Sequence, residues 1–286
     1  MATWNARHYL KFGDERTRPA VDLVARIDVE APQEIVDLGC GPGNSTQVLR
    51  ARWPGAIVRG IDNSPEMIDA ARAAYPAQDW ICADLSDWVP DRPVDLVFSN
   101  AALQWLGDHR RLLPRLFSAV AAGGAFGFQI PSNGDVGIRK LIQEIAEDPM
   151  WRDRMTVARS ALTMEEPSVY YDLLAGQATA VDIWVTEYFH RLDSSDAIVD
   201  WMAGTGLRPF LEALDDANER QRFVRLLRAQ VAAHYRPHPD GKVLFPFRRT
   251  FVIAYPLSWG RAVTCGQGAG TPPTSGAGYH RPPPRR

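Results

Sequence analysis

Cysteine is scarce in this chain: Cys40, Cys82 and Cys265 are the only three. They are too few and too far apart for a zinc cluster or a disulfide framework, and their odd number agrees with reduced thiols. All three are read as bystanders, and no metal site is expected. Long apolar runs are missing as well. No stretch approaches the length of a membrane-spanning helix, and residues 1–9 are polar where a signal peptide would be apolar. A cytoplasmic location without a membrane partner is therefore expected. An excess of one charge is also lacking: 32 basic residues against 34 acidic ones leave a net charge of −2. That balance gives no basic footprint for nucleic acid and favours a small-molecule partner. No signal separates a monomer from a weak dimer.

What is present is enough apolar material, 45% of 286 residues, to bury a core without staples. Over residues 34–130 short apolar runs alternate with amphipathic segments, the pattern of a parallel sheet flanked by helices. Strands are expected at 34–38, 56–61, 79–82, 94–99 and 125–130, after a leading helix at 14–27. Ser64-Pro65-Glu66 reads as a helix start, with an N-cap, a proline at the first position and an acid in the first turn. Met67, Ile68, Ala71 and Tyr75 then form the buried face. Beyond Pro131 the rhythm changes: helices are expected at 136–145 and 164–174, and a half-buried strand at 180–189 with Val181, Ile183 and Val185 inward. Phe223, Leu227, Val231 and Tyr235 recur every four residues in a long helix at 216–235, and the last core element is expected at 249–255. From Gly260 onward the chain is rich in Gly, Pro, Ser and Thr and too poor in large apolar residues to order itself.

The run Asp37-Leu38-Gly39-Cys40-Gly41-Pro42-Gly43-Asn44 lies between the first strand and a helix carrying Val48, Leu49 and Trp53. Glycine allows a sharp turn there and lets a ligand approach the backbone without meeting a Cβ. In open parallel sheets ligands sit beyond the carboxyl ends of the strands. This sequence puts Asp62 at the second such end, Asp84 after the third and Asn100 after the fourth. Asp62 could accept both hydroxyls of a ribose, and Asp84 could bond an adenine amino group. Any one of the three alone reads equally well as a cap or turn former; their joint placement argues for a site. A nicotinamide-dependent dehydrogenase needs G-x-G-x-x-G, and the third glycine would fall on Asn44 or on Thr46, so neither register fits.

The D-x-G-x-G-x-G run, the acid closing the second strand and the turn Ala83-Asp84-Leu85 resemble class I S-adenosylmethionine-dependent methyltransferases. Further motifs narrow the resemblance: Tyr9-Leu10-Lys11-Phe12, Asp14-Glu15-Arg16-Thr17-Arg18-Pro19, Asn100-Ala101 with Gln104-Trp105, Val181-Asp182-Ile183-Trp184, and Trp201 with Gly204-Thr205-Gly206-Leu207-Arg208-Pro209. With their spacing over residues 4–255, these are similar to the trans-aconitate 2-methyltransferase family. The resemblance implies an α/β, Rossmann-like class I methyltransferase fold: a seven-stranded, mostly parallel sheet with one antiparallel strand and helices on both faces. It implies a helical segment at 1–30, a methyltransferase domain at 31–256 with its donor-binding core at 31–131, and a helical insertion covering the substrate at about 132–178 and 193–236. The tail at 257–286 has no counterpart in the pattern; it is either a disordered extension or the product of a reading-frame change. The resemblance also implies S-adenosyl-L-methionine as cofactor, held by Asp37, Gly39, Gly41, Gly43, Asp62, Met67, Asp84, Leu85, Asn100 and Trp105.

The implied acceptor is a polycarboxylate, which calls for cationic and preferably bidentate donors, and arginine supplies them. Tyr9, Arg16, Trp201, Arg208 and Arg249 are the candidates for contact with it. Arg208 is the best placed, in a Gly-rich turn between helices. Arg16 and Arg18 are two apart on one helix and cannot both face one site, and of Arg248 and Arg249 strand alternation sends one inward. Tyr9, Trp105 and Trp201 could ring the sulfonium; each also reads as ordinary core. His190 is a weaker candidate, since a lone histidine is usually structural. A carboxylate is already ionised at neutral pH, so no general base and no catalytic side chain are expected, only orientation. Alternatives are another small acid, an acyl-carrier malonyl group, a natural-product hydroxyl that would need a base, or donor binding without transfer. Arg220, Arg222, Arg225 and Arg228 spread around their helix and read as a solvated face instead of a carrier-docking patch.

Overall fold

A computed structural model of the protein describes residues 13–132 and 137–257. The motif at Tyr9 and nearly all of the Gly/Pro-rich tail lie outside the described residues.

The first strand, β1 (Glu34–Leu38), is buried at every position, as a strand covered on both faces must be. It pairs in parallel with β2 (Ile57–Asp62) on one side and β4 (Val94–Asn100) on the other. Loops leave β1 and β4 in opposite directions, and the crevice between them opens at the carboxyl ends. β3 (Asp79–Cys82) extends the sheet in parallel beyond β2, and β5 (Val120–Pro131) beyond β4. The far half is antiparallel: β7 (Val243–Pro256) pairs with β5, and β6 (Ala178–Leu192) pairs with β7 at the edge. The order β3-β2-β1-β4-β5-β7-β6 leaves β7 as the one strand running against the rest.

Helices cover both faces because their apolar stripes have nowhere else to go. On one face α1 (Gly13–Arg26) and α2 (Asn44–Arg52) lay Leu23, Val24, Leu49 and Trp53 over Ile35, Leu96 and Phe98. α3 (Pro65–Ala74) starts as the sequence predicts: the Ser64 hydroxyl accepts from the Met67 backbone N–H at 3.3 Å, and Ile68 and Ala71 are fully buried. On the other face α4 (His109–Ser118) and α7 (Pro167–Leu174) press Leu113, Leu116, Tyr170 and Leu174 onto Val97, Phe126 and Phe128.

A second core stands above the carboxyl ends of the parallel strands. It gathers α5 (Gly137–Ala146), α6 (Thr156–Arg159), α8 (Ser195–Ala203), α9 (Arg208–Glu212) and α10 (Ala217–His234) around Leu192 and Val243, the residues where β6 ends and β7 begins. Phe223, Leu227 and Val231 of α10 are fully buried there, each contributing about 2 kcal/mol of apolar burial.

Two expectations need correction. Val185 is exposed, not inward. The first half of β6 is covered by α7, which takes Val181 and Ile183. Beyond Trp184 the cover passes to the opposite face, where Arg26 lies 4.2 Å over the Trp184 ring and Tyr188, His190 and Leu192 are buried. The inward set of one strand therefore reverses along its length. β7 is also longer than expected, because Pro246 masks its first half in sequence although that half is paired with β6. None of the described helices is long and apolar enough to cross a membrane.

Candidate active site

The glycine loop after β1 is held from below. Asp37 is fully buried, and its Oδ2 accepts from the Ser45 and Thr46 hydroxyls, both at 2.7 Å, at the start of α2. Burial pushes its carboxyl up to about 6, against the lowering effect of those two bonds. Its Oδ1 is buried without a protein hydrogen-bond partner among the described residues, so one strong acceptor under the loop is left over. Asp62 closes the loop from the side: Oδ2 accepts from the Gly41 N–H and Oδ1 from the Ser64 N–H, both at 2.9 Å. It is half-buried, and burial raises its pKa.

The three glycines at 39, 41 and 43 all take positive φ, but they make room for different things. A Cβ on Gly39 would lie 2.1 Å from the Ala102 Cβ, and one on Gly43 would meet the Trp80 ring at 2.7 Å. At Gly41 a Cβ would meet nothing within 4 Å among the described residues. Two positions thus admit neighbouring protein, and only Gly41 faces open space. Around this space Met67 is buried yet belongs to none of the apolar clusters, and Leu85 is buried beside Gly39. Asp84 is exposed, with Oδ1 accepting from the Ser86 N–H at 2.8 Å.

The end of β4 forms the wall between this loop and the space under the helical cap. Asn100 is buried; its Oδ1 accepts from Gln129 Nε2 at 2.6 Å, and its Nδ2 donates to the Arg16 carbonyl at 3.4 Å. Ala101 then adopts φ 56°, a left-handed conformation that costs a non-glycine residue roughly 1 kcal/mol or more. The turn Leu103–Trp105 follows. It is pinned by Gln104 Nε2 donating to the Ala101 carbonyl at 2.7 Å and by His109 Nε2 lying 2.9 Å from the Leu103 carbonyl. These contacts aim Trp105 into a cleft.

That cleft runs under the cap from Ala101 and Trp105 to Trp201 and Phe247. Arg16, Arg139 and Arg249 line it, and no carboxylate or imidazole is among its described lining residues. Arg16 donates to the Trp201 carbonyl at 3.4 Å and lies 5.2 Å over its ring. Arg249 donates from Nη1 to Gln129 Oε1 at 3.1 Å and lies 4.8 Å over the Phe247 ring. Burial lowers Arg139 to about 10, which leaves it a cation at neutral pH.

Of the five substrate-side candidates, Arg16, Arg249 and Trp201 come together here. Arg208 is not among the cleft's described lining residues; it pairs with Glu212 at 3.0 Å and lies 5.9 Å over the ring of Trp105, which does line the cleft. Tyr9 lies outside the described residues. Arg18 is exposed over Tyr188, and Arg248 points away from Arg249 into solvent. His190 is packed against the Trp201 ring at 4.7 Å and is not among the lining residues; burial, then Arg249 and Arg18, lower it to about 4. Sequence reading missed Arg139 and Gln129. Arg139 borders the Ile138, Ile142 and Ile145 stripe of α5, the helix that follows the carboxyl end of β5, and that position was the available signal. Gln129 carried only the oddity of a polar residue in an apolar strand.

A sequence profile described as "Methyltransferase domain" matches residues 35–124. The chain is 46% identical over 255 residues to a trans-aconitate 2-methyltransferase of Rhodopseudomonas palustris, covering 89% of this chain and 99% of that one. Among solved structures, the YcgJ protein of Bacillus subtilis superposes with a TM-score of 0.54 at 12% identity, over 83% of this chain and 97% of that one. A SAM-dependent methyltransferase from Thiobacillus denitrificans, solved with S-adenosyl-L-homocysteine, gives 0.50 at 16% identity, over 84% and 90%. The sheet order, the glycine loop closed by Asp62 and the near-complete alignment at that identity agree: this chain belongs to the trans-aconitate 2-methyltransferase family, on the class I methyltransferase fold.

Proposed function

We propose that the protein transfers a methyl group from S-adenosyl-L-methionine to a carboxylate of trans-aconitate, giving the monomethyl ester and S-adenosyl-L-homocysteine. The observation that carries this reading is the set of three arginines, Arg16, Arg139 and Arg249, in a cleft separated from the glycine loop only by the turn after Asn100. A polyanion entering that cleft meets cations already stripped of most of their water, where attraction is stronger than at a surface.

The residues present fit the donor. The space over Gly41, open among the described residues, can take a ligand close to backbone, Asp37 Oδ1 has no hydrogen-bond partner among the described residues, and both Asp62 oxygens keep a lone pair for hydroxyls. In this reading Asp62 holds the ribose, Asp84 the adenine amino group, and Met67 and Leu85 the faces of the base. When bound, S-adenosyl-L-methionine supplies an electrophilic methyl group on a positively charged sulfur. The chain's part is to hold and orient. The arginines neutralise the acid's other carboxylates and fix one oxygen toward the methyl carbon, while Trp105 and Trp201 exclude water. An acceptor carboxylate held in this way would need no proton removed by the chain. Orientation of this kind is worth about 7 to 11 kcal/mol. The helices from α5 to α10 serve as the cover, and a cytoplasmic setting that keeps Cys40 and Cys82 reduced goes with the same reading.

The direct test is to assay trans-aconitate, cis-aconitate, isocitrate and citrate side by side, with mass spectrometry of the ester. Preference for trans-aconitate is expected. Donor binding by titration with no ester from any of the four would overturn the reading.

A further inference from the structure

We infer that Gln129 is a positioning residue that sets Arg249 for the acid and ties it to Asn100. The inference rests on the reading of the arginine cleft above. Gln129 is fully buried in the middle of β5. Asn100 of β4 is its direct register partner, while Arg249 lies two residues along β7 from its partner Phe251, on the same face. The amide spans this row: Nε2 donates to Asn100 Oδ1 at 2.6 Å and Oε1 accepts from Arg249 Nη1 at 3.1 Å. Asn100 in turn donates to the Arg16 carbonyl, so one chain of hydrogen bonds joins two of the three arginine residues of the cleft through the strand end that borders the glycine loop.

A side chain with a donor at one edge and an acceptor at the other is required. A carboxylate at 129 would set acceptor against acceptor at Asn100 and draw the charge of Arg249 to itself. An apolar residue would leave Asn100 and Arg249 each short of a partner in a buried place. Glutamine alone keeps the guanidinium in place while leaving its charge for a ligand. Because Asn100 loses its acceptor to Gln129, its amide orientation is also fixed, with Nδ2 turned toward Arg16.

The test is a double-mutant cycle on the KM for trans-aconitate, with Gln129→Met, Arg249→Met and the pair, each checked by thermal melting. Gln129→Met is expected to raise this KM about tenfold. In the Arg249→Met background the same change is expected to raise this KM by much less than tenfold, because only the share that reaches Arg16 through Asn100 remains. A purely structural role would give effects that multiply, and that result, or an unchanged KM in Gln129→Met, overturns the inference while leaving the cleft reading intact. An unchanged KM in Arg249→Met alone overturns the cleft reading and this inference with it. Should Gln129→Met fail to fold, Gln129→Asn, which keeps the amide but withdraws it from Arg249, is put through the same cycle.

Discussion

A Cβ built on Gly39 falls 2.1 Å from the Ala102 Cβ, so the loop after β1 and the turn after β4 are packed at the closest distance that glycine permits. The contact fixes where one half of the site ends and the other begins.

Substitution in the loop should therefore separate folding from binding. Gly39→Ala is expected to lose about 3 kcal/mol or more of stability, from overlap with Ala102 added to an unfavourable φ. Gly41→Ala meets no atom of the described residues within 4 Å, so its stability loss should be about 1 kcal/mol, while its KM for S-adenosyl-L-methionine rises markedly. Urea unfolding and initial rates on both variants check this; equal stability losses would contradict the assignment of open space to Gly41.

The arginines should not be equivalent. Arg139→Met is expected to raise the KM for trans-aconitate by about 30-fold, the loss of one buried charge contact. Arg208→Met should change it less than about threefold, since Arg208 is not among the cleft's described lining residues and pairs with Glu212. Steady-state kinetics at saturating donor decides, and the reverse ranking would restore Arg208 to the cleft.

Stability against pH should show two opposing contributions. Asp37 has a folded pKa near 6, above its usual 3.8. The native state thus holds this proton more tightly, and the stabilisation present at low pH is lost as pH rises through about 6, by roughly 3 kcal/mol. His190 has a folded pKa near 4, below its usual 6.5. Its contribution is present above 6.5 and is lost as pH falls toward 4, again by roughly 3 kcal/mol. The two slopes nearly cancel in the wild type. Relative to wild type, Asp37→Asn should become progressively more stable as pH rises from 4 to 6, and His190→Gln progressively less stable as it rises from 4 to 6.5. Denaturation at several pH values measures both, and variant curves parallel to the wild type would count against the burial argument.

The rate should depend weakly on pH. With an acceptor already ionised and no base required, log kcat/KM for trans-aconitate is expected to stay flat from about pH 6.5 to 8.5. A rise with slope one through neutrality would show that a proton is removed, and would point to a hydroxyl acceptor instead.

Several parts of this site were legible in the chain itself. The glycine spacing, Asp62 at a strand end and the Ser64-Pro65 helix start are local features, each dictated by backbone geometry over a few residues. The four-residue recurrence of Phe223, Leu227 and Val231 exposed α10 for the same reason. Val185 was misjudged because its burial depends on which helix lies over β6, and the Gly-rich turn before Arg208 does not by itself say which way that side chain opens. Arg139 and Gln129 gave almost no signal, since their meaning comes from neighbours 110 and 120 residues away: Arg139 from Arg249 across the cleft, Gln129 from its bond to the same residue.

The sequence by itself determined the sheet-and-helix alternation, the glycine turn with its closing acid, and the family. Periodicity and turn chemistry act over a handful of residues, and nearby side chains suffice to set them. Only the tertiary structure decided which arginines share a cleft and which amide joins them. Charges from α1, α5 and β7 can meet only after the sheet has placed β5 between β4 and β7, and that order is a property of long-range pairing that no local stretch of chain contains.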